Sequence, residues 1–206
     1  MPQTLLKEPL PAPVQLRQYG PTDPERPRVE AYIRRIYAER YQAQVKEFAP
    51  MLVGLHDCDG TLVAAAGYRD ADAGMLFLER YLSQPVHLLL RGPGATAQQR
   101  HGIVEVGHLA SDRPGEGRRL ILLLGPLLAQ AGFEWVVSTL TQELRHLFVR
   151  MGVAPLALGC ADPALLGDAA TDWGRYYDHQ PVVLAGQIPV ALKALSRRGA
   201  LSGVAA

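Results

Sequence analysis

Cysteine is scarce in this chain, and runs of like charge and long apolar stretches are lacking. Cys58 and Cys160 are the only cysteines among 206 residues, too few for a disulfide framework or a thiolate zinc site, although one disulfide between them stays open. A reducing cytoplasm fits this content best. The net charge is +1 and the arginines are scattered, so we expect no nucleic acid partner.

Metal-ligand spacing and nucleophilic triads are also lacking. No histidine–carboxylate cluster has the spacing of a metal site, and no Ser/His/Asp or Cys/His arrangement stands out. We therefore expect neither a bound metal nor a covalent intermediate.

No segment has the length of a membrane-spanning helix. The most apolar stretch, residues 120–129, is interrupted by Gly125 and Pro126 and is shorter than the roughly 18–20 residues that a spanning helix needs. It predicts a buried helix and no transmembrane segment. The first fifteen residues contain four prolines and no apolar core of a signal peptide.

Composition and patterning predict one globular domain. Apolar residues make up 48% of the chain and charged residues 20%, a balance that permits a buried core. We assign the domain to residues 28–190, after a proline-rich extended or disordered arm at residues 1–27 and before a weakly ordered tail at residues 191–206.

Hydrophobic periodicity predicts the order of the elements inside that domain. The predicted elements are a helix at 28–48, two strands at 51–56 and 62–68, a short helical or extended piece at 77–82, an uncertain strand at 86–90, a strand at 103–109, a helix at 120–132, a strand at 133–139, a helix ending at Gly152, and strands after Pro155 and at 182–185.

Two patterns indicate how the strands pair. Residues 57–60 end in Asp-Gly between two apolar runs, which is typical of a hairpin. The later strand–helix–strand unit implies two parallel neighbours joined by a crossover. We therefore predict a mixed sheet in an α/β fold.

The segment 112–119 is a glycine turn between a strand and a helix. Gly115 and Gly117 would let backbone N–H groups point at an anion beside the helix N-terminus, and Arg118 and Arg119 would add charge-assisted hydrogen bonds to a pyrophosphate. The turn lacks the Gly-Lys-Ser/Thr of a nucleotide P-loop. An ordinary turn is the alternative interpretation.

Glu105 is an acid inside an apolar strand, where a carboxylate is rarely buried unless it is paired or used. It suits a base or a charge that orients a cationic amine. A structural pair with Arg145 or Arg69 is the alternative. Strand alternation places His108 on the opposite face unless a bulge intervenes, so a structural histidine is favoured there.

Thr139 lies at the carboxyl end of the next strand, where α/β sheets place ligands. It also has capping-box spacing to Gln142, so a helix cap is equally compatible. Trp173, Tyr176 and Tyr177 form an aromatic cluster that suits a lid or the wall of an acyl pocket, with core packing as the alternative.

Three segments carry a family resemblance. Residues 77–82 (FLERYL), 104–111 (VEVGHLAS) and 173–177 (WGRYY) resemble the thermostable hemolysin family, and the match runs from about residue 28 to residue 186. His108 stands where that family usually has Asn.

The resemblance implies a GNAT-like α/β fold, with a mixed central sheet flanked by helices. The family's central strand is similar to that of N-acylhomoserine-lactone synthases, and Glu105 matches a glutamate there. Gly107 and His108 replace the serine and arginine of that strand, so the lactone chemistry does not carry over.

What carries over is acyl transfer from acyl-CoA or acyl carrier protein to a small-molecule amine. Glu105 and Thr139 are the predicted catalytic residues. The residues predicted to bind the donor cofactor are Leu109, Ser111, Gly115, Gly117, Arg118 and Arg119. Those predicted to bind substrate are Gly107, His108, Trp173, Tyr176 and Tyr177.

Two other functions stay open at this point. The family name implies lysis of red cells, and a GNAT-like domain can also bind a ligand without turning it over. An amphiphilic acylated product that disrupts membranes would reconcile the family name with an enzyme.

Overall fold

A seven-stranded sheet forms the centre of the protein in a computed structural model that describes residues 13–90 and 98–198. The strand order is β1-β2-β3-β4-β5-β7-β6. The strands are β1 (Gln15–Tyr19), β2 (Met51–His56), β3 (Leu62–Asp70), β4 (Ile103–Ser111), β5 (Trp135–Leu140), β6 (Leu156–Cys160) and β7 (Val182–Gln187). The α-helices are α1 (Arg26–Tyr41), α2 (Val86–Leu89), α3 (Glu116–Gln130), α4 (Gln142–Met151) and α5 (Ile188–Arg197).

Short 3-10 helices connect several of these elements. They span Ala71–Ala73, Phe77–Tyr81, Arg100–Gly102, Pro163–Trp173 and Tyr176–His179. The Phe77–Tyr81 helix and the last two segments lie near the centre of the sheet, where they contribute to the site described below.

The sheet is mixed, as predicted, because β4 and β5 are parallel and every other neighbouring pair is antiparallel. The helix α3 joins β4 to β5. These two strands pair only where Ile103, Val104 and Glu105 face residues 135–137. Beyond that point β4 stays with β3 and β5 stays with β7, so a gap opens in the sheet.

Helices cover both faces of the sheet. The α1 stripe of Val29, Ile33, Ile36 and Tyr37 is buried against one face together with Leu52 of β2 and Ala65 of β3. On the other face, α3 and α5 bury a stripe against β3 and β4; its members include Leu120, Leu124, Leu128, Ile188, Ala64, Ala66, Val104 and Val106. Residues three or four apart share a helix face, which explains why this periodicity predicted α1.

Several predicted elements are confirmed with small shifts. The hairpin forms as β2 and β3, and its turn is closed by the Asp57 carboxylate, which accepts hydrogen bonds from the backbone N–H groups of Asp59 and Thr61. The helix α4 ends at Gly152, which adopts a φ of 82°. Only glycine adopts this left-handed conformation without steric cost.

Four predictions about element boundaries are wrong. The extended or disordered arm predicted at residues 1–27 instead contains the edge strand β1, paired with β2, and the first two residues of α1. Residues 1–12 of that arm lie outside the described residues. The first helix ends at Tyr41 instead of residue 48. The uncertain strand at 86–90 is the short helix α2. The residue that precedes α4 is Thr141, not Thr139, and its side chain makes no capping hydrogen bond.

The chain beyond residue 190 also differs from the prediction of a weakly ordered tail. The helix α5 continues to Arg197, and Leu195 packs in a cluster with Leu122 of α3 and Met151 of α4. Residues 199–206 lie outside the described residues. Within residues 13–90 and 98–198, no helix combines the length and apolarity of a membrane span.

Candidate active site

Two cavities meet where β4 and β5 separate. The aromatic cavity, of about 200 Å³, is lined by Glu105, His108 and Thr139 and by aromatic side chains; these are Tyr37, Tyr41, Phe48, Phe77, Tyr81, Trp173 and Tyr176. The turn cavity, of about 730 Å³, lies beside the glycine turn and the first residues of α3. The two cavities share four lining residues, which are Tyr41, Leu109, Thr141 and Leu144.

The turn cavity is lined by most of the residues predicted to hold a donor cofactor. They are Leu109, Ser111, Gly115, Gly117 and Arg118. Gly115 is the residue that requires glycine conformationally, since its φ is 87°, and Gly117 lies within the first turn of α3. Glu116 N donates to the Arg113 carbonyl and Arg119 N donates to the Gly115 carbonyl, so the N–H groups of Gly117 and Arg118 remain for an anion in the cavity.

Arg119 is placed differently from Arg118. Its side chain is 12% exposed, lies 4.0 Å from the carboxylate of Glu116, and is not among the groups that line the turn cavity. A helix turns about 100° per residue, so adjacent arginines project in different directions.

Side chains from other elements hold the glycine turn in place. The Asp112 carboxylate accepts hydrogen bonds from Tyr32 at 3.0 Å and from Arg35 at 2.7 Å, both on α1. Arg113 pairs with Asp57 of the hairpin at 2.7 Å, and this contact lowers the pKa of the Asp57 carboxyl.

The rim of the turn cavity is predominantly basic. Arg40, Arg113, Arg118, Arg150 and His146 line it, against the two acids Asp112 and Glu143. Such a balance favours an anionic group in the cavity.

Glu105 makes two backbone contacts that the sequence did not indicate. Its Oε2 accepts a hydrogen bond from Phe77 N at 2.8 Å, and its Oε1 accepts one from Leu78 N at 2.9 Å. The carboxylate therefore holds the first turn of the 3-10 helix. Burial raises the pKa of Glu105, and the two N–H donors oppose that shift. Within the described residues it forms no ion pair with Arg145 or Arg69.

A β-bulge brings His108 to the cavity that Glu105 lines. Two residues of β4, His108 and Leu109, lie opposite the single residue Ala66 of β3, and His108 has a φ of 54°. The bulge changes the alternation that had placed His108 on the opposite face. Its Nε2 is 3.2 Å from the Glu47 carbonyl oxygen, and burial lowers the pKa of the ring to about 4, so the ring is neutral at pH 7.

The three family-like segments converge on the aromatic cavity. Besides the contacts between Glu105 and the 3-10 helix, the Phe77 ring lies 5.5 Å from Trp173. The hydroxyl oxygens of Tyr81 and Tyr177 are 2.6 Å apart. Tyr177 is thus a partner of Tyr81 and does not itself line the cavity, whereas Gly107, Trp173 and Tyr176 do.

Gly174 allows residues 173–177 to pack closely against the C-terminal end of α1. Its φ is 50°, and a Cβ atom at this position would overlap the carbonyl oxygens of Tyr41 and Gln42. Arg175 N donates to the Tyr41 carbonyl at 2.7 Å, and Tyr176 donates to the Thr139 carbonyl at 3.1 Å. Thr139, on β5, lines the cavity on that side of the gap.

Thr141 and Arg69 also line these cavities, although the sequence analysis predicted a site role for neither and considered Arg69 only as a structural partner of Glu105. Thr141 is 2% exposed and lines both cavities; its position just after Thr139 was the available signal. Arg69 lines the aromatic cavity beside Glu105. The predicted proximity of Arg69 to Glu105 is confirmed, because the two residues lie opposite each other in the pairing of β3 with β4.

Over residues 13–90 and 98–198, no group of three or more His, Cys, Asp or Glu side chains is arranged to hold a metal ion. Cys58 and Cys160 are both exposed and free, so the disulfide left open by the sequence is not formed.

Solved structures with this fold include two acyltransferases. FeeM, an N-acyl amino acid synthase from uncultured soil microbes, aligns with a TM-score of 0.60 at 13% identity, over 89% of this chain and 94% of its own. BjaI, a CoA-dependent acyl-homoserine lactone synthase solved with SAM and isopentyl-CoA, aligns with a TM-score of 0.61 at 12% identity, over 90% of this chain and 89% of its own. The predicted GNAT-like fold is thereby confirmed.

Sequence comparison adds the family. No curated protein matches this sequence. The profile described as thermostable hemolysin matches residues 19–192, which include all three segments that converge on the aromatic cavity. The chain therefore belongs to the thermostable hemolysin family.

Proposed function

We propose that this protein transfers an acyl group from a thioester, on CoA or on acyl carrier protein, to the amine of a small molecule. One observation carries the proposal: the gap between β4 and β5 joins a basic cavity at a helix N-terminus to an aromatic cavity that contains a carboxylate. The acyltransferase fold of FeeM and BjaI supports it.

In the proposed reaction the amine lone pair attacks the thioester carbonyl carbon. A C–N bond forms, the C–S bond breaks, and the thiol leaves with one proton while the amine loses one. Glu105 orients the amine and accepts its proton, since a carboxylate whose pKa is raised by burial is a stronger base than an exposed one. His108, neutral at pH 7, does not compete for that proton.

The donor's phosphate groups would lie in the turn cavity. Their charge suits the N–H groups of Gly117 and Arg118 at the start of α3 and the Arg118 guanidinium. The pantetheine arm would then pass the shared residues Leu109, Thr141 and Leu144 and present the thioester at the gap.

We expect CoA and acyl-CoA to bind and to raise the melting temperature, since a ligand that binds only the folded state stabilises it. Arg118→Ala is expected to weaken binding about tenfold or more through loss of a charge-assisted hydrogen bond. Gly117→Val should also weaken it, because a β-branched side chain would narrow the approach to the turn. Isothermal calorimetry measures both effects.

Arg197→Ala is the matched control for Arg118→Ala, because Arg197 is exposed on α5 away from both cavities. Equal affinity in the wild type, Arg118→Ala and Gly117→Val would leave the segment as an ordinary turn. If CoA, acyl-CoA and an acylated carrier protein all fail to bind, the assignment of a thioester donor is wrong. If the donor binds but mass spectrometry detects no amide product, a ligand-binding domain is favoured.

The family name gives reason to test membrane lysis directly. We expect the purified protein alone to release no dye from phosphatidylcholine vesicles. With acyl-CoA and an amine acceptor present, any release should follow formation of the amphiphilic amide product. Rapid release that depends on protein dose and needs neither substrate would instead favour a directly lytic protein.

A further inference from the structure

Some charged side chains of the aromatic cavity have partners of opposite charge, and two arginines do not. Lys46 and Asp172 form an ion pair at 2.7 Å, and Glu105 is held by two backbone N–H groups. Arg69 and Arg80 also line the cavity. Neither of these arginines has a carboxylate within 4 Å among the residues that the structure describes.

Arg69 lies directly opposite Glu105 in the antiparallel pairing of β3 with β4. Oppositely charged side chains at such positions normally attract each other across the strands. Here the Glu105 carboxylate is turned to Phe77 N and Leu78 N, and the one hydrogen bond recorded for Arg69 is a long contact of 3.4 Å to the Met75 carbonyl oxygen. The Arg69 guanidinium therefore keeps most of its donors for a cavity ligand.

Within residues 13–90 and 98–198, no other charged side chain that lines the cavity supplies a carboxylate partner for Arg69. Arg80 adds a further positive charge, with its guanidinium 4.8 Å from the centre of the Phe77 ring. Glu47 lines the cavity, but it contacts His108 through its backbone carbonyl and its residue is exposed. The region around Arg69 thus offers a half-buried cation beside a half-buried carboxylate.

We propose that the acceptor is an amino acid, with its carboxylate bound by Arg69 and its amine directed to Glu105. This inference rests on the proposed acyl transfer. A planar guanidinium binds a carboxylate with two parallel hydrogen bonds, and the neighbouring guanidinium and carboxylate match the two charges of a zwitterion. The ammonium of that zwitterion loses one proton to solvent before its lone pair attacks the thioester, and the second proton passes to Glu105 as in the proposed reaction. Glu105 can still accept a hydrogen bond from the amine, because each carboxylate oxygen has a second lone pair.

A competition experiment tests this assignment. The wild type receives dodecanoyl-CoA and an equimolar mixture of the twenty common amino acids, their carboxamides and their decarboxylated amines, and the products are identified by mass spectrometry. We expect amides that retain a free carboxylate to predominate by about 10²-fold, since a site that binds a charged group discriminates strongly against analogues that lack it.

The variant Arg69→Gln then identifies the residue responsible. For the preferred amino acid we expect its kcat/KM to fall about 10²-fold, with kcat/KM for the matching decarboxylated amine and the affinity for CoA changed less than threefold. Arg28→Gln is the control, because Arg28 is exposed at the start of α1 and lies outside the cavity.

Two failures have different meanings. Equal acylation of amino acids, carboxamides and amines, or an equal loss for both acceptors in Arg69→Gln, overturns the amino-acid assignment while leaving acyl transfer intact. Acylation of none of the amines overturns the proposed function, and the acceptor assignment falls with it.

Discussion

Glu105→Gln is expected to lower kcat/KM for the amine acceptor by about 10²–10⁴, the usual scale of general acid–base catalysis. The substitution preserves size but removes the charge that orients the amine and accepts its proton. Affinity for CoA should change little, because Glu105 does not line the turn cavity. Steady-state kinetics with varied acceptor, and calorimetry with CoA, measure the two effects.

The same substitution also affects the 3-10 helix. A glutamine has one acceptor oxygen for the N–H groups of Phe77 and Leu78, and its own NH₂ group would face the other donor. We expect a stability cost of about 1–3 kcal/mol for that unsatisfied group. Turnover must therefore be measured well below the melting temperature, with the folded fraction checked by circular dichroism. A folded variant with native turnover would remove Glu105 from the mechanism.

The pH dependence of the wild type gives a separate readout. Burial favours the neutral form of Glu105 and raises its pKa, so the ionised form appears at a higher pH than for an exposed glutamate. Acceptor kcat/KM should fall as the pH decreases through that raised pKa. Glu105→Gln should lose this acidic limb of the profile and keep the rest.

Glu79→Gln is expected to destabilise the protein by about 3–5 kcal/mol, the cost of breaking a buried ion pair. The Glu79 carboxylate pairs with Arg100 at 2.7 Å, with side-chain exposures of 6% and 23% respectively. It also accepts hydrogen bonds from Leu76 N and Val86 N. Chemical denaturation monitored by circular dichroism measures the loss.

Low pH should reduce this difference between the wild type and Glu79→Gln. Burial raises the pKa of Glu79, but hydrogen bonds from Arg100 and the backbone outweigh it, so the folded-state pKa is lowered. The stabilisation is then present above the unfolded pKa of about 4.3 and is lost as the pH falls through the folded pKa. A difference that stays constant down to the acid transition would contradict the ion pair as its source.

The two glutamates also serve as controls for each other. Both carboxylates hold the 3-10 helix at Phe77–Tyr81 through backbone N–H groups, but only Glu105 lines the aromatic cavity. Folded Glu79→Gln should keep acceptor turnover, whereas Glu105→Gln should lose it. An equal loss of turnover in both would assign the effect to the position of the helix.

Elements with local sequence signals could be predicted from the sequence alone. The Asp-Gly turn predicted the hairpin of β2 and β3, and the glycine turn before an apolar run predicted β4, α3 and the parallel strand β5. Periodicity and turn chemistry depend on residues a few positions apart, so they can be read without knowing what packs against them. The three family-like segments also include residues that line the aromatic cavity.

The partners of those residues depend on contacts between segments that are distant in the sequence. The fold pairs Glu105 with backbone N–H groups nearly thirty positions earlier instead of with an arginine, and it brings His108 to the same cavity through a bulge. Residues Gln15–Tyr19 likewise form an edge strand because they pair with β2. A hydrogen-bond partner or a strand register is selected by contacts between distant segments, and the local pattern of either segment leaves that choice open.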